Sequence, residues 1–227
     1  MIDNKPKALP AGRHGNSQEL IAHIQYISQG VTPDDHLDNI KTVLDAGVTW
    51  VQLRMKGSQE DIVLKTALEV RNITLKYEAT FIVNDYYDLV QHCDADGVHL
   101  GKSDEKPSIV RKALGEEYII GATANSLEDI IGLSDSGINY IGLGPYRETK
   151  TKRNLSPILG LEGYRSIMKI LDGISIETPI YAIGGIEATD IKELMQTGIS
   201  GIALSRYLTE GDINTKFKKI NELMANG

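Results

Sequence analysis

Eight short apolar runs, separated by amphipathic stretches, constrain the fold more than any other feature of this chain. They are IQYIS (24–28), WVQLR (50–54), TFIVN (80–84), DGVHL (96–100), YIIGA (118–122), YIGLG (140–144), PIYAIGG (179–185) and GIALS (201–205). Between them lie LDNIKTVLDAG, QEDIVLKTALEVRNITLKY, SLEDIIGLSDSG, TDIKELMQTG and INTKFKKINELMANG, whose apolar residues recur three and four apart, the helical period. Strands alternating with helices call for right-handed crossovers and a parallel sheet. Eight such units in 227 residues predict an α/β fold, a closed (β/α)8 TIM barrel in a single domain. The alternative is an open flavodoxin-like or Rossmann sheet, but no GxGxxG follows the first run to support it. Residues 1–20 precede the first strand and are expected to be a tail or covering segment, with 21–227 forming the barrel.

The junctions DAGVTWVQLR, DSGINYIGLG and QTGISGIALS read alike, and Gly47, Gly137 and Gly198 fit the left-handed position that closes a helix. Composition narrows the function classes. With 24 Lys and Arg against 31 Asp and Glu, a net charge of -7, the chain lacks the extended positive surface that nucleic acid requires. No apolar run could span a bilayer and the polar N-terminus resembles no secretory signal, so no membrane partner and a cytoplasmic location are expected. Cys93 is the only cysteine, without a partner for a disulfide or a CxxC metal site, and reads as a buried apolar residue.

In a barrel of this kind, chemistry occurs where strands end and the following loops begin. On the second strand Gln52, Arg54 and Lys56 are spaced by two and share a face, while Val51, Leu53 and Met55 share the other. The polar set reads as an anion-binding row at the barrel mouth or as an internal ion-pair network. The third strand ends at Asn84 and Asp85, and the fourth runs through His99 and Gly101 to Asp104. Two carboxylates leaving neighbouring strands suit Mg²⁺, which binds hard oxygens and keeps waters; capping of the following helices explains either Asp as well. His99, among apolar residues, reads as a satisfied core histidine. Thr123 or Ser126 is the expected cap after the fifth strand.

The sixth strand opens into GLGPYRETKTKRN (142–154), where Thr149 and Thr151 alternate with Arg147, Lys150, Lys152 and Arg153. It reads as an anion-binding loop or as a solvated one. After the seventh strand, Gly184 and Gly185 stand before a helix and form a nest for a monophosphate, and Ser205 at the end of the eighth can add a hydroxyl. Two anion sites therefore face one mouth, one for a monophosphate and one for a diphosphate.

With VQLRMK, FIVNDYYDL, DGVHLGKSD, GATANS, GLGPYRETKTK, AIGGI and GIALS in this order, the chain resembles the thiamine-phosphate synthase family over roughly residues 24–208. NDYYDL, then DGVHLGKSD, then TKTK is the specific combination. The resemblance implies a transferase that condenses a hydroxymethylpyrimidine diphosphate with a thiazole phosphate, giving thiamine phosphate and pyrophosphate. By position it implies that Gln52, Arg54, Lys56 and Lys152 bind the diphosphate and that Asn84 contacts the pyrimidine diphosphate. Asp85 and Asp104 match the magnesium ligands, and Thr123 stands near the pyrimidine. Thr149, Thr151 and Gly185 match contacts to the thiazole phosphate. Lys150, Ser205 and Arg206 join the substrate-binding set, with Arg206 departing from the family's small or hydroxyl residue. Lys152, Arg54 and Thr123 are the implied catalytic residues, acting by positioning and electrostatics with no side-chain nucleophile. A homo-oligomer is left open. A thiazole tautomerase relative and a non-catalytic phosphate-binding barrel are the competing readings.

Overall fold

The computed structural model describes residues 22–148, 157–174 and 176–225. Each apolar run becomes a strand: β1 (Ile24–Ile27), β2 (Trp50–Leu53), β3 (Thr80–Asn84), β4 (Gly97–Leu100), β5 (Ile119–Ala124), β6 (Tyr140–Leu143), β7 (Ile180–Ile183) and β8 (Gly201–Leu204). All neighbours pair in parallel and in chain order, and β1 closes on β8 with Gln25 opposite Ala203. The helices are α1 (Pro33–Asp45), α2 (Glu60–Thr74), α3 (Pro107–Leu114), α4 (Leu127–Leu133), α5 (Gly160–Leu171), α6 (Ala188–Met195) and α7 (Ile213–Ala225). The expected (β/α)8 barrel is present. None of these helices is long and apolar enough to cross a membrane.

One unit departs from the repeat. Between β3 and β4 the chain makes only a 3₁₀ turn, Tyr87–Leu89, instead of an α-helix. The segment is short, and its apolar residues Leu89, Val90, Cys93 and Ala95 drop directly into the core. Arg71 of α2 then covers the gap, donating to Asp94 and to both oxygens of Asp96, each at 3.2 Å, while Asp96 also accepts Phe81 N–H at 2.7 Å. Helix starts follow local chemistry elsewhere. Thr32 and Asp35 form a capping box around Pro33 of α1, and Ser126, rather than Thr123, caps α4.

Strand alternation sorts side chains into two cores. Val51, Leu53 and Met55 lie in the cluster beneath the helices, as their spacing predicts. Trp50, Ile82, Ile119, Tyr140 and Tyr181 fill the barrel interior. The Trp50 ring meets Tyr140 and Tyr181 edge to face at 4.9 and 5.0 Å. Gly121 makes room for this layer, because a Cβ there would lie 2.1 Å from Tyr140 Cζ. The aromatic layer seals the barrel below its polar residues.

Candidate active site

A chain of polar side chains crosses the barrel directly above the aromatic layer. Gln52 Nε2 donates to Gln25 Oε1 at 3.4 Å, and Gln25 Nε2 donates to Tyr140 Oη at 3.2 Å. Tyr140 Oη lies 3.0 Å from His99 Nδ1, and His99 Nε2 lies 3.0 Å from Thr123 Oγ1. Burial pushes the Tyr140 phenol far above its ordinary pKa, so it stays neutral. His99 is thus the satisfied core histidine its surroundings suggest, and it fixes the hydroxyl of Thr123 at the end of β5. Gly142 leaves space for this ring, since a Cβ there would sit 3.1 Å from His99 Cε1.

The exit of β2 supplies cations. Arg54 is half-buried, with its N–H donating to Ser28 Oγ at 3.0 Å. Burial lowers its pKa, opposed by the charge of Asp85. Its guanidinium forms no ion pair with any described residue within 4.0 Å. Lys56 does pair, lying 3.3 Å from Asp85 Oδ2. Behind Arg54, the Ser28 hydroxyl is held at 2.7 Å by Nδ1 of the buried His36.

Asp85 and Asp104 converge beside Lys56. Neither caps a helix: Tyr86 precedes the 3₁₀ turn, Lys106 precedes α3, and no side-chain cap bond forms at either. Asp85 instead adopts a left-handed φ of 69°. Asp104 Oδ2 accepts Gly101 N–H at 2.6 Å. Burial, then the neighbouring Asp104 carboxyl, push the Asp85 pKa up to about 6 against the pull of Lys56. The two carboxyls could share a hydrogen bond only if one kept a proton; with both ionised, buried Asp85 Oδ1 has no donor among the described residues. An oxygen left this way, facing a second carboxylate, suits a hard cation. A cavity of about 360 Å³ opens here, lined by Asp85, Tyr86, Tyr87, Asp88, Asp104 and Glu105.

At the far side of the mouth, Gly184 and Gly185 follow β7 with φ of 99° and 72°. The loop after β6 lies against them. Gly144 permits this approach, because its Cβ would come 2.2 Å from Ile183 O; closeness to backbone is what this glycine serves. Arg147, expected to steer anions or face water, is instead tied to the pair of glycines and to Asp190. Asn84 is buried at the end of β3, opposite His99. Ser205 donates its hydroxyl to Ile27 O at 2.7 Å, and Arg206 is exposed. Thr149, Lys150, Thr151 and Lys152 lie outside the described residues. The predicted residues on β2 to β5 and after β7 and β8 therefore ring one end of the barrel. What sequence reasoning missed is their support: Gln25, Tyr140, Ser28, His36 and Asp190. The one signal for Tyr140 was Gly121, the small residue beside it on β5.

Comparison with known proteins follows the same lines. The model of the thiamine monophosphate synthase family matches residues 24–208. A thiamine-phosphate synthase of Flavobacterium johnsoniae is 51% identical over 189 residues, covering 83% of this chain and 89% of that protein. One of Bacteroides fragilis is 43% identical over 182 residues, covering 80% and 89%. Among solved structures, thiamine phosphate pyrophosphorylase from Pyrococcus furiosus superposes with a TM-score of 0.77 at 26% identity, covering 92% of this chain and 97% of that one. A 3-hexulose-6-phosphate synthase, 12% identical with a TM-score of 0.66, shares the fold alone.

Proposed function

The chain belongs to the thiamine monophosphate synthase family, and on that premise we propose how its barrel mouth performs the reaction. The activity is thiamine-phosphate synthesis, a transfer in which the pyrimidinylmethyl group passes from its diphosphate to the thiazole phosphate and pyrophosphate leaves. The observation that carries the assignment of roles is the meeting of Lys56, Asp85 and Asp104, with an Asp85 oxygen that no donor among the described residues reaches.

Asp85 and Asp104 would hold Mg²⁺. The donor set fits: two hard carboxylates, and among the described residues no group of three or more His, Cys, Asp or Glu that would complete a protein cage. Water and diphosphate oxygens would fill the remaining positions. Bound there, the ion would neutralise charge on the departing pyrophosphate. Arg54 and Lys56 contribute positive charge on the same side, and Lys150 and Lys152 add to it from the loop after β6. Gln52, held by Gln25, and buried Asn84 orient the pyrimidine diphosphate. Thr123 faces the pyrimidine with a hydroxyl already fixed by His99.

Thr149, Thr151 and Gly185 take the thiazole monophosphate, joined by Ser205 once its hydroxyl turns from Ile27 O, with Arg206 at the edge. The aminopyrimidine is electron-rich and supports positive charge at its methylene carbon as the C–O bond to the diphosphate breaks. The thiazole nitrogen then forms the new C–N bond. No side-chain nucleophile is required, and preorganised charge supplies the acceleration. Its partners are these two small molecules, and the cytoplasm is the proposed setting. Incubating the purified protein with both substrates, with and without Mg²⁺, tests the reading. Pyrophosphate should form only with both substrates and the metal; none under any condition would overturn it, and a non-catalytic barrel would bind both substrates and release nothing.

A further inference from the structure

Two consecutive left-handed glycines have no side chains with which to brace themselves, so their conformation has to be held from outside. Here the loop after β6 holds it. Tyr146 N–H donates to Ile183 O at 2.9 Å, Arg147 N–H to Gly184 O at 3.0 Å, and Arg147 Nη1 to Gly185 O at 2.7 Å. Three successive carbonyls are thereby turned toward one loop. Because each trans peptide points its C=O and N–H in opposite directions, the amides of Gly184, Gly185 and Ile186 are turned away from that loop. Those of Gly185 and Ile186 find no acceptor among the described residues. They are the donors a phosphate would meet.

The same arginine manages a charge. Asp190, buried in the first turn of α6, accepts Glu187 N–H at 2.8 Å. A lone carboxylate beside the nest would repel a phosphate dianion. Arg147 closes a two-pronged pair onto it, Nη1 to Oδ2 at 2.8 Å and Nη2 to Oδ1 at 2.9 Å. The guanidinium also lies over the Tyr146 ring, 5.1 Å from its centroid, a cation–π contact.

We propose that Arg147 is a positioning residue for the monophosphate site, holding the Gly185 and Ile186 amides toward the ligand and cancelling the charge of Asp190 beside them. The proposal rests on the reading that this nest takes the thiazole phosphate. It explains why an arginine occupies a loop otherwise concerned with substrate. It also makes a glycine substitution an unsuitable test, since a Cβ at Gly185 would fall 2.5 Å from Arg147 Cγ with φ at 72°.

The experiment compares wild type with Arg147→Met, Arg147→Lys, Asp190→Asn and the Arg147→Met/Asp190→Asn double variant, each checked by thermal melting. It measures KM for both substrates, and binding of the thiazole phosphate and of the unphosphorylated thiazole alcohol by calorimetry. Arg147→Met should weaken the thiazole phosphate roughly 10-fold to 100-fold, the worth of lost charge-assisted hydrogen bonds, and leave KM for the pyrimidine diphosphate within about twofold. Arg147→Lys should recover part of the loss, and so should the double variant, which removes the unbalanced carboxylate. Binding of the alcohol should not change. A folded Arg147→Met protein with unchanged affinity for the thiazole phosphate, or with both substrates weakened alike, overturns the proposal. Should Arg147→Met not fold, Arg147→Lys decides by the same comparison. Binding of the thiazole phosphate alone separates this outcome from a failure of wild type to release pyrophosphate, which would sink the catalytic reading instead.

Discussion

Asp85→Asn should make the metal-free protein more stable and a poorer enzyme. Asn tolerates the left-handed φ of 69° at this position as well as Asp does, so the backbone is not strained by the change. No helix cap is lost. What changes is a charge: burial and Asp104 push the Asp85 pKa from 3.8 to about 6, net of the attraction of Lys56. A shift of roughly two units corresponds to about 3 kcal/mol held against the ionised form, an upper value. The site opens to water, and screening reduces the effect to about 1–2 kcal/mol. For a chain of this size that is a rise in Tm of roughly 2–8 °C. The sign follows from linkage. The folded pKa lies above the unfolded one, so ionised Asp85 costs the folded state stability above about pH 6; the variant's advantage is full at pH 7.5 and fades toward pH 4. Function should move the other way, with a higher Mg²⁺ requirement and turnover lower by roughly 10-fold or more, because a neutral amide is a poor ligand for a hard cation. Melts in chelator and magnesium titrations of pyrophosphate release measure both. A variant melting below wild type in chelator, or magnesium curves that coincide at normal rates, would refute the assignment.

Arg71→Met should cost about 3–5 kcal/mol in urea unfolding, because it takes the buried guanidinium away from the Asp96 carboxylate, whose side chain is only 9% exposed; a loss under about 1 kcal/mol would contradict the pairing. Burial, with Arg54 adding to it, lowers the pKa of His36 against the pull of Asp35, so below 6.5 the unfolded chain takes up its proton more readily. Wild type should therefore lose stability on acidification through that window more steeply than His36→Gln, as parallel melts from pH 7.5 to 5.5 would show; equal slopes would exclude His36 as the cause. Arg206 is exposed, and Arg206→Ala should change substrate binding by about 1 kcal/mol or less in calorimetry, whereas a large loss of turnover would give it a direct role.

The strands and most of the helices were legible along the chain because their signals are local. Alternation put Val51, Leu53 and Met55 on one face and Gln52, Arg54 and Lys56 on the other, and Gly47, Gly137 and Gly198 adopt the left-handed φ expected where helices close. Eight apolar runs at this length determined the barrel, and strand ends located the residues of its mouth. The missing helix between β3 and β4 was not legible, because Leu89, Val90, Cys93 and Ala95 carry enough apolar surface for either outcome and the pairing of Asp94 and Asp96 with Arg71 comes from α2, outside the segment. Nor could spacing decide whether Asp85 and Asp104 were caps or a convergent pair, since Asp104 turns to Gly101 N–H and Asp85 to its neighbours across the strands. Tyr140 reaches His99 across 41 positions and Arg147 reaches Asp190 across 43. A side chain's own sequence neighbourhood states its chemistry, but its partner, and hence whether its charge is spent on structure or left for a ligand, is set by which strand ends the closed barrel brings together.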